Sequence, residues 1–307
     1  MASDTPQPQS GRLRYGIGEW YGLSFAAMEP GQRKSLAEAQ ARRGVQQVCP
    51  WRSTSSEELP CTKKGGVCSL RLYEQKPHSN AVCPVPGINE GLAVTCPERF
   101  YEGWFIFEWI GDRVIGCPRP TVLGEIGFLQ PIGGQGGSSS RPVGKIDHVL
   151  LDPDRSPLQW CALEMQAVYF SGAAMGQEFA RLRHTDEPGI PFPTGHRRPD
   201  FRSSGPKRLM PQLQIKVPTL RRWGKTMTVV VDRAFFDAMA PMEEADDLSN
   251  ADIAWFVLRY RDIAGRLRLE LDDVRFTTLE RAVEGLTAGL PVSLNTFEER
   301  ILQKLDS

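Results

Sequence analysis

KIDHVLL at Lys145 to Leu151 and QWCALEMQAV at Gln159 to Val168, separated by the turn composition DPDRSP at Asp152 to Pro157, are the stretch on which the fold turns. Both flanking runs are rich in β-forming residues, so together they read as a hairpin. Side chains on a strand alternate faces, which puts Glu164 and Gln166 on the same side. If the hairpin closes at the turn, Asp147, near the middle of the first strand, meets Glu164 across the pair. Two carboxylates so close are costly unless a cation neutralises them or they share a proton. Hard oxygen ligands suit Mg²⁺, which binds through one or two carboxylates plus substrate phosphate. The same pattern also describes solvated carboxylates on a half-exposed hairpin. Glu125, upstream in GEIGF, is a weaker candidate, and His148 is given no role.

Outward from the hairpin the chain reads as mixed α/β, a mixed sheet flanked by helices. Met227 to Val231 and Ile253 to Tyr260 are apolar strands, and Thr277 to Leu286 and Thr296 to Leu305 are helices. Pro206 to Trp223 is a basic helical stretch with Pro211 and Pro218 inside it. A further helix spans Arg33 to Arg43, Trp104 to Ile110 is a short aromatic and apolar run, and GGQGGSSS at Gly133 to Ser140 is a low-complexity surface loop. No internal repeat is present. Residues 1–11 form a polar tail, 12–100 an N-terminal region and 101–307 the core.

With 307 residues, 40 % of them hydrophobic and with 14 Phe and 7 Trp, the chain has ample material for a core, which excludes global disorder. The polar start carries no apolar signal segment and no window is long and apolar enough to span a bilayer, so the expected place is the cytosol, with no membrane partner. Lys plus Arg and Asp plus Glu are both 37, so a coat of uniform basicity over nucleic acid is excluded. The balance is nonetheless uneven. Arg181 to Lys225 holds 11 basic against 3 acidic residues, net +8, and Glu243 to Glu284 holds 11 acidic against 6 basic, net −5. One face can therefore meet a polyanion.

Five of the seven cysteines, Cys49, Cys61, Cys68, Cys83 and Cys96, fall within 48 residues. In a reducing compartment clustered thiols are better read as metal ligands than as disulfides, although buried free thiols are the alternative. No C-x-x-C pair occurs, so this is no zinc ribbon. Cys49-Pro50, Gly65-Gly66 before Cys68, Cys83-Pro84 and Cys96-Pro97 set each sulfur beside a rigid or permissive backbone. A tetrahedral site needs four sulfurs, and Cys83 and Cys96 compete for the last place.

Taken together, Cys49-Pro50-Trp51, Cys61, Gly66-Val67-Cys68, Cys96-Pro97-Glu98-Arg99-Phe100, Asp147, Leu163-Glu164-Met165-Gln166 and the helix from Lys207-Arg208 to Gln212 resemble type II restriction endonucleases of the NotI and EagI type, within the PD-(D/E)xK nuclease superfamily. The resemblance covers roughly residues 45 to 305. It implies a mononuclear four-cysteine site, iron in that family with zinc as the alternative, and a Mg²⁺-dependent DNA-cleaving core. Cys49, Cys61 and Cys68 match the first three ligands, and the CPxR signature matches Cys96. Asp147, Glu164 and Gln166 match catalytic positions, and Glu125 matches an upstream acidic one across a span stretched by the glycine-serine loop.

The resemblance further implies a homodimer cutting double-stranded DNA at a GC-rich palindrome, in a bacterial cytoplasm with a cognate DNA methyltransferase. Asp147 and Glu164 would hold the metal. Gln166 stands where relatives carry lysine, and an amide can orient water but cannot take up a proton at neutral pH. The expected DNA contacts are Arg197, Arg198, Arg202, Lys207, Arg208, Arg221 and Arg222. Two rival readings keep parts of this pattern: a metal-clasped DNA-binding regulator without catalysis, and a repair nuclease that recognises DNA structure.

Overall fold

In the computed structural model, residues 11–42, 46–77, 79–87, 91–129, 144–287, 289 and 292–305 are described. The glycine-serine loop expected at Gly133 to Ser140 lies outside them. Strands β1 (Arg12–Trp20), β2 (Leu23–Ser24), β3 (Val67–Gln75), β4 (Val82–Pro84) and β5 (Leu92–Val94) form an antiparallel sheet in the order β2-β1-β3-β4, with β5 also on β3. The larger sheet has six strands in the order β15-β14-β13-β10-β9-β6. They are β6 (Thr121–Leu123), β9 (His148–Asp152), β10 (Gln159–Met165), β13 (Met227–Asp232), β14 (Ile253–Ile263) and β15 (Arg266–Thr277). Two short ribbons complete the strands, β7 (Ile126–Leu129) with β8 (Gly144–Ile146) and β11 (Tyr169–Gly172) with β12 (Arg197–Asp200).

The larger sheet is mixed, as expected: β10, β13 and β14 run parallel, and β9 and β15 flank them antiparallel. β13 and the start of β14 are buried throughout because both sheet faces are covered. One face packs on α2 (Phe105–Ile110), which the apolar run at Trp104 foreshadowed. The other packs on α5 (Met210–Arg222) and α7 (Leu279–Leu286), with α6 (Arg233–Asp237) following β13. α1 (Pro30–Ala41) and α3 (Gly176–Leu182) cover the smaller sheet, the short α4 (Phe201–Ser204) leads into α5, and α8 (Leu294–Leu305) closes the described chain. Among the described residues no helix is long and apolar enough to cross a membrane.

Residues 12–100 share the core of the large sheet: Leu92, Val94 and Phe100 pack with Leu150, Leu163 and Phe256. Backbone bonds lock β5 there, because Val168 N donates to Val94 O at 2.7 Å and Val94 N donates to Asp232 Oδ2 at 2.5 Å. Arg99, wholly buried, completes the join. Its Nε bonds both oxygens of Glu19 at 2.9 and 3.0 Å, Nη1 bonds Glu102 at 2.7 Å and Nη2 donates to Leu267 O at 3.1 Å. The guanidinium also lies 4.1 Å from the ring centre of Trp51. Such a cluster tolerates burial because every charge has a partner.

Candidate active site

The hairpin forms with Gln159 opposite Asp152 and Leu163 opposite His148, so the next step of the register brings Asp147 opposite Glu164. Asp147 is not mid-strand as the sequence pattern suggested. It sits at the bend between β8 and β9, and this leaves its side chain 44 % exposed while Glu164 stays buried on central β10. Asp147, Glu164 and Gln166 line one cavity of about 330 Å³ together with Lys63, Thr95, Pro97, Arg208 and Gln212. Gln166 lies just past the end of β10, its backbone N–H on Val230 O and its Nε2 donating to Ala167 O at 2.5 Å. The structure thus gathers three of the four residues singled out as catalytic.

The fourth, Glu125, does not join them. The β7–β8 ribbon holds it beside Lys145 at 2.5 Å, exposed, and that ammonium keeps its carboxyl below the usual range. An exposed ion pair of this kind needs no functional reason.

Lys216 is the group that the sequence reading missed. From α5 its ammonium reaches Glu164 Oε2 at 2.5 Å, Asp147 Oδ1 at 3.6 Å and Gln212 Oε1 at 2.7 Å. Burial pushes Glu164 up to about 7, Lys216 works against that rise, and neighbouring Asp147 adds to it. A cation therefore already sits between the two carboxylates, in the role that their closeness demands. A signal was available: Leu209, Leu213 and Leu220 form the buried stripe of this helix, and 216 falls on the same stripe at helical spacing.

The basic segment divides. Arg198, Arg202, Lys207, Arg208 and Arg222 are exposed, and the Arg208 guanidinium stacks 3.7 Å over the Tyr169 ring beside the cavity. Arg197, expected to meet DNA, is corrected to a structural residue. It is buried, with Nη1 on Glu178 at 3.0 Å and Nε on Ala173 O, so its charge faces inward. Arg221 is held by Asp252 and Glu280.

Among the described residues no group of three or more His, Cys, Asp and Glu side chains gathers closely enough to hold a metal ion, and the expected four-cysteine centre is not shown. The thiols stand instead as neighbouring pairs. Cys49 and Cys61 flank an antiparallel bridge, with Cys49 N on Leu59 O and Cys61 N on Gln47 O. Cys68 lies on β3 and Cys96 two residues past the end of β5, the segments held by Thr95 N donating to Cys68 O, and Trp51 Nε1 links the pairs by donating to Cys68 Sγ at 3.4 Å. Burial pushes the Cys68 thiol up to about 12 and raises Cys96, to which the Glu98 carboxylate adds. Cys83 is elsewhere, on β4 with its Sγ toward Glu74 O.

The model of the restriction endonuclease NotI matches residues 32–271, which is 240 of the 307 residues, and the chain belongs to the NotI restriction endonuclease family. Its activity is accordingly that of a site-specific deoxyribonuclease acting on double-stranded DNA. A search of curated proteins finds no match.

Proposed function

We propose that the chain cuts both strands of a GC-rich palindrome in a Mg²⁺-dependent reaction centred on Asp147, Glu164, Gln166 and Lys216. The observation that carries this is the meeting of two carboxylates, one buried and one open, in a cavity that also holds Gln166 and two further cations. The donor set fits Mg²⁺, since the two carboxylates supply hard oxygens and the position between them already attracts positive charge. When bound, the ion would neutralise charge building on the phosphate and lower the pKa of water. The chain's own groups do the rest. Asp147 and Glu164 hold the ion, Lys216 opposes the protonation that burial would impose on Glu164, and Gln166 orients water through its amide.

Arg198, Arg202, Lys207, Arg208 and Arg222 hold the DNA. Most of them set its position through phosphate, and arginines among them can read guanine O6 and N7. Two copies related by a twofold axis would match a palindrome, and a cognate methyltransferase in a bacterial cytoplasm would protect host DNA. Cys49, Cys61, Cys68 and Cys96 are the candidate ligands of a structural iron or zinc within residues 12–100, beside the 101–307 catalytic core. The two adjacent thiol pairs support this choice, and the position of Cys83 supports Cys96 as fourth. A structural metal would tie the two pairs together and contribute directly to folding.

Incubation with plasmid and Mg²⁺ tests the reading: discrete fragments with a common end sequence are expected, and loss of cutting in EDTA. Absence of cutting, or nicking without a pattern, would refute it. Elemental analysis of the purified chain should find iron or zinc, and soluble, active protein with neither would remove the cysteine assignment.

A further inference from the structure

Lys63 belongs to the cysteine loop in sequence, two residues after Cys61, yet it lines the same cavity as Asp147 and Glu164. A tight turn puts it there. Gly66 N donates to Lys63 O at 3.0 Å, and Gly65 and Gly66 both take positive φ, at 82° and 67°. A side chain at 66 is excluded as well, since a Cβ there would fall 2.2 Å from the Tyr21 ring. The turn is fastened at the far side of Gly65, whose carbonyl accepts from Trp20 Nε1 at 2.8 Å. The ammonium itself donates to the carbonyl of Thr95, another cavity residue, and a carbonyl takes up none of its charge. No ion pair involving Lys63 is found among the described residues.

Lys63 thus differs from Lys216, whose charge is spent on two carboxylates. An ammonium with three donors, one of them on a carbonyl, keeps donors for an anion. Arg208 supplies a second positive group to the same cavity from the DNA-binding segment. A DNA strand brought to Asp147 and Glu164 must carry its phosphates between negative carboxylates, and cations on the walls are what make that approach favourable.

We infer that Lys63 is a phosphate-binding residue of the nuclease cavity, holding the DNA backbone at the cleavage position together with Arg208. The inference deepens the nuclease reading and rests on it. Full-length Lys63→Met, Lys63→Arg and Glu164→Ala proteins separate the two claims. Cleavage of supercoiled plasmid in Mg²⁺ and binding of a random-sequence 40-base-pair duplex are each followed against salt, with the thermal midpoint as control.

Lys63→Met should cut about 10- to 100-fold more slowly and flatten the slope of log affinity against log salt by about one unit, as loss of one phosphate contact predicts. Lys63→Arg should keep the slope and most of the rate. Wild-type rate and slope in Lys63→Met would overturn the inference. So would a slow Lys63→Met with an unchanged slope and a lowered thermal midpoint, which marks a merely structural lysine. Glu164→Ala cutting at the wild-type rate would instead remove the nuclease site on which the inference rests.

Discussion

Arg99 lies between Glu19 and Glu102, and Lys216 lies between Asp147 and Glu164. Both cations are buried and both have two carboxylates, yet the surroundings differ. The Arg99 cluster is nearly closed: its carboxylates are 0 and 7 % exposed, Tyr260 and the backbone of Leu269 donate to carboxylate oxygens that Arg99 also bonds, and Trp51 covers the guanidinium. The Lys216 cluster opens into a cavity on the Asp147 side, with that carboxylate 44 % exposed. A planar guanidinium suits a saturated, fixed network, whereas an ammonium is a point charge whose partners can be exchanged. Charge count alone does not separate a closed cluster from an accessible one; saturation and access do.

The contrast is most sharply tested at the carboxylates of the open cluster. Glu164→Ala or Asp147→Ala should lower Mg²⁺-dependent plasmid cleavage by roughly 10³-fold or more, since a catalytic metal contributes several kcal/mol, while duplex binding persists. Near-wild-type cutting by either variant would erase the distinction. Arg99→Leu should act on stability instead, costing about 3–5 kcal/mol in urea unfolding because Glu19 is left buried without its cation. A loss under about 1 kcal/mol would show that the closed cluster is no fastening.

Lys216→Met should slow cleavage about 10- to 100-fold, matching the ~1.5–3 kcal/mol of a hydrogen bond to a charged group. It should also displace the pH profile. The Glu164 carboxyl, raised from its usual range to about 7, binds a proton in competition with the cation below that pH. At limiting Mg²⁺ the wild-type rate should therefore fall as pH drops through about 7, and excess Mg²⁺ should carry the fall to lower pH. Without Lys216 the fall should begin at higher pH, and a profile unmoved by the substitution would detach Lys216 from Glu164. The smallest effects belong to two arginines. Arg208→Ala should weaken duplex binding by ~1 kcal/mol and reduce the salt slope by about one, whereas Arg197→Ala should leave the slope alone and lower the thermal midpoint. The reverse result would return Arg197 to the DNA face.

Much of this arrangement is local and so was legible in the sequence. The hairpin, the shared face of Glu164 and Gln166 and the helical stretch leading to Trp223 follow from period and turn composition within a few residues. β15 was also within reach, because Arg266-Leu267-Arg268-Leu269-Glu270-Leu271 alternates strictly, though its charges made it look like part of an acidic surface. Arg197 went the other way: high local basicity suggested a DNA contact, while its partner Glu178 lies 19 residues earlier on a separate helix. Lys216 to Glu164 spans 52 residues and Arg99 to Glu19 spans 80. Contacts of that separation leave no periodic trace, which is why the charges that matter most were hardest to place.

The bond from Tyr260 to Glu19 joins residues 241 apart, and that from Arg99 to Leu267 joins residues 168 apart. Such long loops must close before their contacts can repay the lost entropy. During synthesis Glu19 of β1 can therefore meet Arg99 well before the Tyr260 hydroxyl that completes its bonding has emerged. Glu164 and Lys216 have both emerged well before residue 260, and so have Val168 and Asp232, which fix β5 in the wall of their cavity. A chain cut before Tyr260 thus keeps the partners that shape the Glu164 cavity but lacks the Tyr260 and Leu267 contacts of the Glu19–Arg99 cluster, so the fastening and not the cavity is finished last.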